Sequence, residues 1–181
     1  VADGEPFDPN ESILKLLGQG GEGGTDTTSV VSMDFASTDD HYADTVQNVS
    51  FRVQDVDGGS DPYTDPGFSM LDVVTVRAYD ADGNAVTVDL TEGSAVGVSG
   101  DVMTGGATNY EATDSEASVL VEVEGPVSRI EIEYANEADG QQRVYVTDVH
   151  FSTCGDEEEL VPILRDGFVS GTGGDDMIDT S

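Results

Sequence analysis

Basic residues are scarce in this chain, with six lysines and arginines against 38 aspartates and glutamates and a formal net charge of −32. Such a chain has too few cations to neutralise a row of phosphates, which excludes a nucleic-acid binder and disfavours an anionic membrane surface. Its charge also repels itself in the compact state unless cations bind or the ionic strength is high. The composition therefore indicates an extracellular, salty or calcium-containing setting.

Cysteine and long apolar runs are lacking as well. Cys154 is the one cysteine, so no internal disulfide can form, and the sequence has no Cys/His pattern for zinc. No apolar run approaches the length of about 20 residues that a membrane-spanning helix needs. Residues 1–10 lack the basic and apolar segments of a signal peptide. We therefore expect no membrane insertion, and a chain that starts as a mature protein or a fragment.

The sequence is rich in period-two alternation of apolar residues. Residues 74–78 carry one apolar face, residues 80–84 (DADGN) supply turn chemistry, and the alternation resumes at 86–90, which predicts a hairpin with one buried face. Eight or nine such strands predict an all-β, antiparallel two-sheet β-sandwich of jelly-roll type. The other clear strands are predicted at 31–35, 49–56, 119–123, 130–134 and 143–151.

Composition divides the chain into three parts. Residues 1–28 resemble a leader and linker in their glycine content, with a short helix predicted at 11–17 (ESILKLL). Residues 29–153 carry the strands and form the predicted sandwich domain. Residues 154–181 begin as an acidic linker and end in SGTGGDDMIDTS. We therefore predict one sandwich between flexible termini.

A group of aspartates runs on from the apolar faces of the predicted strands. Asp55 continues the inward phase of residues 49–53, and further aspartates lie close by in the sequence. A buried carboxylate needs a counter-charge, and the chain has almost no cations to offer. Calcium takes six to eight oxygen ligands and tolerates irregular geometry, which makes it the predicted ion. The predicted Ca²⁺ ligands are Asp55, Asp57, Asp61, Asp72 and Asp148.

Simpler explanations of these acidic residues stay open. A single Asp is more often a turn or cap residue, and overall acidity also fits the solvated surface of a halophile's protein. The strand at 143–151 either turns Asp148 inward or, in the opposite phase, leaves it outside. The DADGN stretch at 80–84 is better explained as turn chemistry than as a second metal site.

Catalytic motifs are scarce. His41 and His150 lie in no recognisable nucleophile or metalloprotease motif. The many carboxylates give no reason to choose any two as a glycosidase pair. The sequence therefore predicts a protein that is not an enzyme, with a polysaccharide lyase or hydrolase as an alternative.

Aromatic residues of the predicted loops offer a binding surface. Tyrosines near calcium at one end of a sandwich can stack on a sugar ring and hydrogen-bond to it, although they can equally cover the ends of the sandwich. The chain has no tryptophan, which disfavours a flat sugar platform. The predicted ligand-contacting residues are Tyr42, Tyr63, Phe68 and Tyr110.

Two resemblances extend this interpretation. VQNVSFRVQDVDGG, DVVTVRAYDADGNAVTV, GPVSRIEIEYAN and VYVTDVHF resemble a β-sandwich module of large secreted or surface proteins of marine and other environmental bacteria. That module often precedes RTX repeats, and DGFVSGTGGDDMIDTS is similar to the entry into such calcium-binding repeats. The chain also resembles jelly-roll carbohydrate-binding modules, in which an Asp of the final strand helps to hold a structural calcium. By that likeness Asp148 would be a ligand, with Asp55 and Asp57 as partners.

Residues and resemblances together predict a secreted, calcium-binding and non-catalytic binding or adhesion module. Its expected partner is an extracellular polysaccharide or a cell-surface glycan, and we expect it to be monomeric within a larger multidomain protein. The alternatives are a purely structural, calcium-stabilised spacer domain of a large exoprotein, and the enzyme named above.

Overall fold

The computed structural model describes residues 13–19, 29–60, 69–138 and 140–155. In this part of the chain there is no α-helix, and so no helix of the length and apolarity that crossing a membrane requires. The first strands are β1 (Leu14–Gln19), β2 (Ser29–Asp34), β3 (Tyr42–Gln54), β4 (Gly58–Ser60), β5 (Ser69–Tyr79), β6 (Ala85–Val86) and β7 (Asp89–Glu92). The later strands are β8 (Val96–Ser99), β9 (Val102–Gly105), β10 (Val119–Val123), β11 (Arg129–Asn136), β12 (Gln141–Val146) and β13 (His150–Gly155).

The strands form two antiparallel sheets that pack against each other. The β3 sheet has the order β1-β12-β3-β10-β7, with β13 also pairing with β3. The β5 sheet has the order β2-β11-β5-β9-β8, with β4 and β6 also pairing with β5. The chain crosses between the sheets at most connections, and late strands insert between early ones in both, which is the strand order of a jelly roll. The predicted all-β, antiparallel two-sheet sandwich is confirmed.

The core lies between the sheets and follows the predicted alternation. Every second residue of β5 and β11 is buried, and the buried residues of the two strands lie opposite one another in register. Burying a large apolar side chain stabilises the fold by about 1.5–3 kcal/mol, so these strands carry much of its stability. The largest fully buried side chains include Tyr134, Phe51, Met103, Ile130 and Ile132.

The predicted hairpin is confirmed at its turn and is shorter than expected beyond it. Tyr79 of β5 pairs with Ala85 of β6. The Asp80 carboxylate accepts hydrogen bonds from the backbone N–H groups of Asp82 and Asn84, at 2.9 and 2.8 Å. This is turn chemistry, as the sequence predicted. After β6 the chain leaves for the other sheet, where β7 pairs with β10.

The predicted helix at 11–17 is wrong, because residues 14–19 form strand β1. β1 pairs along its whole length with β12, where Leu16 lies opposite Val144. Leu16 is 4% exposed, whereas its neighbour Leu17 is 60% exposed. A short segment has little helical stability of its own, so the free β12 edge and a place in the core decide its structure. β1 thereby completes the edge of the β3 sheet.

The predicted single strand at 143–151 is also wrong, because it consists of β12 and β13 with a connection at 147–149. The period-two phase that starts at Val144 stops at Val146, where β12 ends. Asp148 therefore does not continue the inward face, and its side chain is exposed. Phe151, in β13, packs edge-on against Phe35 with the ring centroids 5.3 Å apart.

Strand β1 can be tested with two adjacent leucines. Leu16→Ala removes a buried side chain and should lower the free energy of unfolding by about 2–3 kcal/mol. Leu17→Ala removes an exposed one and should change the free energy by no more than about 0.5 kcal/mol. Urea unfolding measures both values. Equal losses from the two variants would contradict a strand with one buried face.

Candidate metal site at one end of the sandwich

Three buried aspartates meet where β3 ends and β5 begins, and we call Asp55, Asp57 and Asp72 the acidic trio. β3 ends at Gln54, and Asp55 adopts a left-handed φ of 67°, which Asp tolerates better than most residues. The chain then turns into β4, which pairs with β5. Gly105, at the end of β9, packs so closely on Asp57 that a Cβ at 105 would overlap with the Asp57 backbone. These constraints fix where the trio lies.

Asp57 and Asp72 are bonded to each other in both directions. The N–H of Asp72 donates to the carbonyl of Asp57 at 2.9 Å, and the N–H of Asp57 donates to Asp72 Oδ2 at 3.1 Å. Asp72 also accepts a 2.7 Å hydrogen bond from the Tyr134 hydroxyl. Both Asp57 and Asp72 are 0% exposed. Asp72 lies next to Asp57, as its grouping with Asp57 in the sequence analysis suggested. Asp72 is buried because it belongs to the inward-facing residues of β5.

The Asp57 carboxylate is held by donors from two other parts of the chain. Its Oδ2 accepts the N–H of Tyr110 at 2.6 Å, and its Oδ1 accepts the side-chain amide of Gln142 at 2.9 Å. Tyr110 lies in the segment between β9 and β10, and Gln142 lies in β12. Asp57 therefore ties one end of both sheets together.

Asp55 differs from the other two members of the trio. Its residue is only 6% exposed, yet its carboxylate receives no hydrogen bond from the described part of the chain. Among the described residues, the carboxylates of Asp57, Glu111 and Asp114 oppose the ionisation of Asp55, and the Arg143 guanidinium favours it. Asp55 is thus a buried acid with unused oxygens.

The electrostatics of the trio favour the addition of positive charge. Burial, followed by repulsion from Asp57, raises the pKa of Asp55 to about 7. Burial likewise raises the pKa of Asp57 to about 6 and that of Asp72 well above its usual range. A raised carboxyl pKa means that the ionised form is costly in its surroundings. A proton or a metal ion relieves that cost.

The donor atoms of the trio suit a hard cation. Calcium prefers oxygen ligands and completes its shell with backbone carbonyls and water. An Asp57 oxygen that accepts one hydrogen bond keeps a further lone pair, and the oxygens of Asp55 are unused. Within the described ranges no three acidic, histidine or cysteine side chains already converge as a ligand set. Asp55 and Asp57 are the residues that could hold such an ion, and other oxygens would have to complete its shell.

Asp148 and Asp61 do not add to this group. Asp148 is exposed in the connection after β12, and it is not among the charges that act on Asp55. Of the two phases that the sequence left open for Asp148, the structure has the one that leaves it exposed. Asp61 lies outside the described residues, as do the predicted ligand-contacting residues Tyr63 and Phe68.

The two described tyrosines of the predicted binding surface lie at opposite ends of the sandwich. Tyr110 bonds to the trio through its backbone. Tyr42 is 48% exposed and begins β3, whose other end leads into the trio. β3 has 13 residues and would span on the order of 40 Å if straight, and it is interrupted at Asn48, which has a left-handed φ of 53°. Tyr42 thus lies in a strand rather than in a loop, and it cannot share a surface with Tyr110.

Several residues around the trio were not predicted. Tyr134 was recognised as inward-facing, but its bond to Asp72 depends on the register between β11 and β5. Gln142 and Arg143 reach the trio because β12 inserts beside β3, which no local pattern reveals. Glu111 could have been found from the sequence, because it directly follows Tyr110, a residue of the predicted binding surface, in a polar loop.

The raised pKa values predict how stability depends on pH without calcium. Unfolded aspartates titrate at about 3.9, so the native state binds more protons than the unfolded state between about pH 4 and pH 7. The free energy of unfolding therefore falls as pH rises through this window and is largest at its acidic end. In EDTA the melting midpoint should rise when the pH is lowered from 8 to 5.

Asp55→Asn serves as the test, since asparagine does not titrate, and Asp148→Asn is the matched control. Between pH 8 and pH 5, the free energy of unfolding of Asp55→Asn should change by about 2–4 kcal/mol less than that of the wild type, taking 1.4 kcal/mol per pKa unit. Its melting midpoint should therefore depend less on pH. Asp148→Asn should follow the wild type. Identical pH profiles for all three proteins would show that Asp55 keeps an ordinary pKa.

Comparisons with known proteins give no match to a family model, to a curated protein or to a solved structure.

Proposed function

We propose that this jelly roll is a calcium-stabilised, non-catalytic extracellular module that binds a glycan. The observation that carries the proposal is Asp55, a buried carboxylate without a hydrogen-bond donor among the described residues, next to the buried Asp57. The chain carries 38 acidic residues and six basic ones, so a counter-charge for the trio has to come largely from outside. Calcium supplies that charge in extracellular fluids.

Calcium suits the site better than a transition metal does. The neighbours that bond to the trio among the described residues present N–H and O–H donors, so the atoms left for an ion are the carboxylate oxygens. Oxygen donors suit calcium and magnesium, whereas zinc and copper favour histidine and cysteine. Magnesium demands near-ideal octahedral geometry, which an irregular end of a sandwich does not readily provide.

A bound ion would neutralise the trio, and the chain's own contacts would spread its effect. Asp57 bonds to Tyr110 in the segment before β10 and to Gln142 in β12. Asp72 bonds to Tyr134 in β11. Holding Asp57 in its ionised form therefore strengthens contacts between both sheets at one end of the molecule.

A purely structural spacer remains the second candidate, and one observation favours it. Tyr42 and Tyr110 lie at opposite ends of the sandwich and form no common aromatic surface. A spacer would bind calcium and no saccharide. A panel of neutral and acidic polysaccharides separates the two functions, since retention on none of them would leave only the spacer.

The calcium site is tested by melting the protein in EDTA and in millimolar calcium, with magnesium and with sodium chloride at matched ionic strength. Calcium at a hundred times its Kd should add about 2.7 kcal/mol to the free energy of unfolding. Asp55→Asn should lose most of this gain because it removes a ligand charge, whereas Asp148→Asn should keep it. An equal rise with sodium chloride would mean that the acidic residues are only a solvated surface.

A further inference from the structure

The five described basic residues are distributed unevenly over the two outer faces of the sandwich. Arg77 and Arg129 lie on the outer face of the β5 sheet, and both are paired with carboxylates. The Arg77 Nη1 lies 2.8 Å from Glu133 Oε2. The Arg129 Nε lies 2.6 Å from Asp34 Oδ1. These two cations are therefore neutralised by neighbours on their own face.

The other three cations lie on the outer face of the β3 sheet. Each precedes or follows a buried core residue of its strand, and so points away from the core. Among the described residues, none of the three lies within ion-pair distance of a carboxylate. We call these three cations and two neighbouring residues of the same face the basic face, which consists of Lys15, Arg52, Gln54, Arg143 and Tyr145.

Cations that form no ion pair with a described carboxylate are unexpected in a chain with so many acids. Glu122 acts on Arg52, and Asp55 on Arg143, only at longer range. Random placement of 38 acidic residues would readily supply partners, as it does on the β5 sheet. Cations without a described carboxylate within ion-pair distance are suited to bind an anionic ligand from solution.

Tyr145 holds two of the cations in place. Lys15 and Gln54 flank Tyr145 in register across β1, β12 and β3. The Lys15 Nζ lies 5.5 Å from the centroid of the Tyr145 ring, and the Arg143 Cζ lies 5.9 Å from it. Cation–π attraction at these distances restrains both side chains, which are exposed to solvent. One anionic group can therefore interact with both.

Two polar atoms of the same face have no hydrogen-bond partner among the described residues. Arg52 Nε and Gln54 Oε1 are buried, and neither makes a hydrogen bond with the described part of the chain. Gln54 as a whole is 2% exposed. An unsatisfied buried polar group is unfavourable, so a shift of these side chains that gives it a partner is favoured when a ligand binds.

We propose that the basic face binds the carboxylate or sulfate group of an acidic saccharide. This inference rests on the proposed glycan-binding function and names the ligand class and the surface. The planar guanidinium of Arg143 matches a carboxylate or sulfate, and Lys15 adds a point charge. Leu17, opposite Arg143 in register and 60% exposed, offers an apolar contact to the C–H face of a sugar ring.

The surrounding charge favours a sugar with one or a few anionic groups over a densely charged polymer. The chain has a net charge of −32, so a polyphosphate backbone that extends beyond the basic face meets repulsion. The acidic trio is adjacent, since Asp55 directly follows Gln54 and Asp57 is bonded to Gln142 beside Arg143. Neutralising the trio with calcium should therefore strengthen binding of the anion.

The test is isothermal titration of the full chain with three probes, namely galacturonic acid trisaccharide, a sulfated galactose disaccharide and neutral galactobiose. The double variant Lys15→Gln/Arg143→Gln removes two charges from the basic face, and Arg77→Gln/Arg129→Gln removes two from the other sheet. The first should weaken binding of the acidic probes by about tenfold or more, as expected for lost charged hydrogen bonds. The second should leave it near the wild-type value, and the neutral probe should bind weakly throughout.

Four results would overturn the inference. Equal affinity for acidic and neutral probes would show that charge plays no role in binding. Equal weakening by both double variants would show that only the net charge of the protein matters, and not the position of Lys15 and Arg143. If saccharide binding is lost in EDTA but unaffected by Lys15→Gln/Arg143→Gln, a calcium ion rather than the basic face links the saccharide to the protein. A melting midpoint that falls markedly for that variant without saccharide, and also for Lys15→Gln alone, would show that these cations serve the chain's own acids.

Melting each sample with and without calcium keeps this inference separate from the calcium site. A calcium-specific rise without saccharide binding would leave the trio as a metal site and remove the basic face as a binding surface. Saccharide binding through Lys15 and Arg143 without a calcium-specific rise would support the basic face and contradict the metal site.

Discussion

The reciprocal bonding of Asp57 and Asp72 is the contact on which this end of the sandwich depends. Each residue uses its backbone to bond the other, and each carboxylate then accepts a donor from another strand or loop. Burying these acids opposes folding unless their charge is neutralised. The sandwich is thus held together at this end by groups that require an added proton or ion. We propose that calcium, held beside them by Asp55, is that ion.

The jelly-roll order explains how distant parts of the chain come together at the trio. β12 inserts beside β3, so Gln142 reaches Asp57 across 85 residues of sequence. The same insertion places Arg143 and Tyr145 on the outer face beside Lys15. One topological feature therefore creates both the support of the acidic trio and the basic face. The acidic trio and the basic face lie side by side with opposite charge. A cation bound at the trio would therefore influence an anion bound at the basic face.

Sequence patterns predicted the fold better than they predicted the site. Alternation in 74–78 and 130–134 is visible locally, and both stretches became central strands. The helix prediction for β1 failed because a free β12 edge outweighs local propensity. The sequence left two phases open for Asp148, and the end of β12 at Val146 decides for the exposed one. The bonds of Gln142 and the grouping of Lys15 with Arg143 depend on strand register, which a single sequence does not reveal.

A crystal structure of the protein grown in millimolar calcium tests the central claim most directly, with anomalous scattering used to locate the ion. We expect an anomalous peak at about 2.3–2.6 Å from an oxygen of Asp55, the usual calcium–oxygen distance. A second protein oxygen at that distance should come from Asp57. Peaks confined to exposed carboxylates, with Asp55 left without a ligand, would contradict a calcium site at this end of the sandwich.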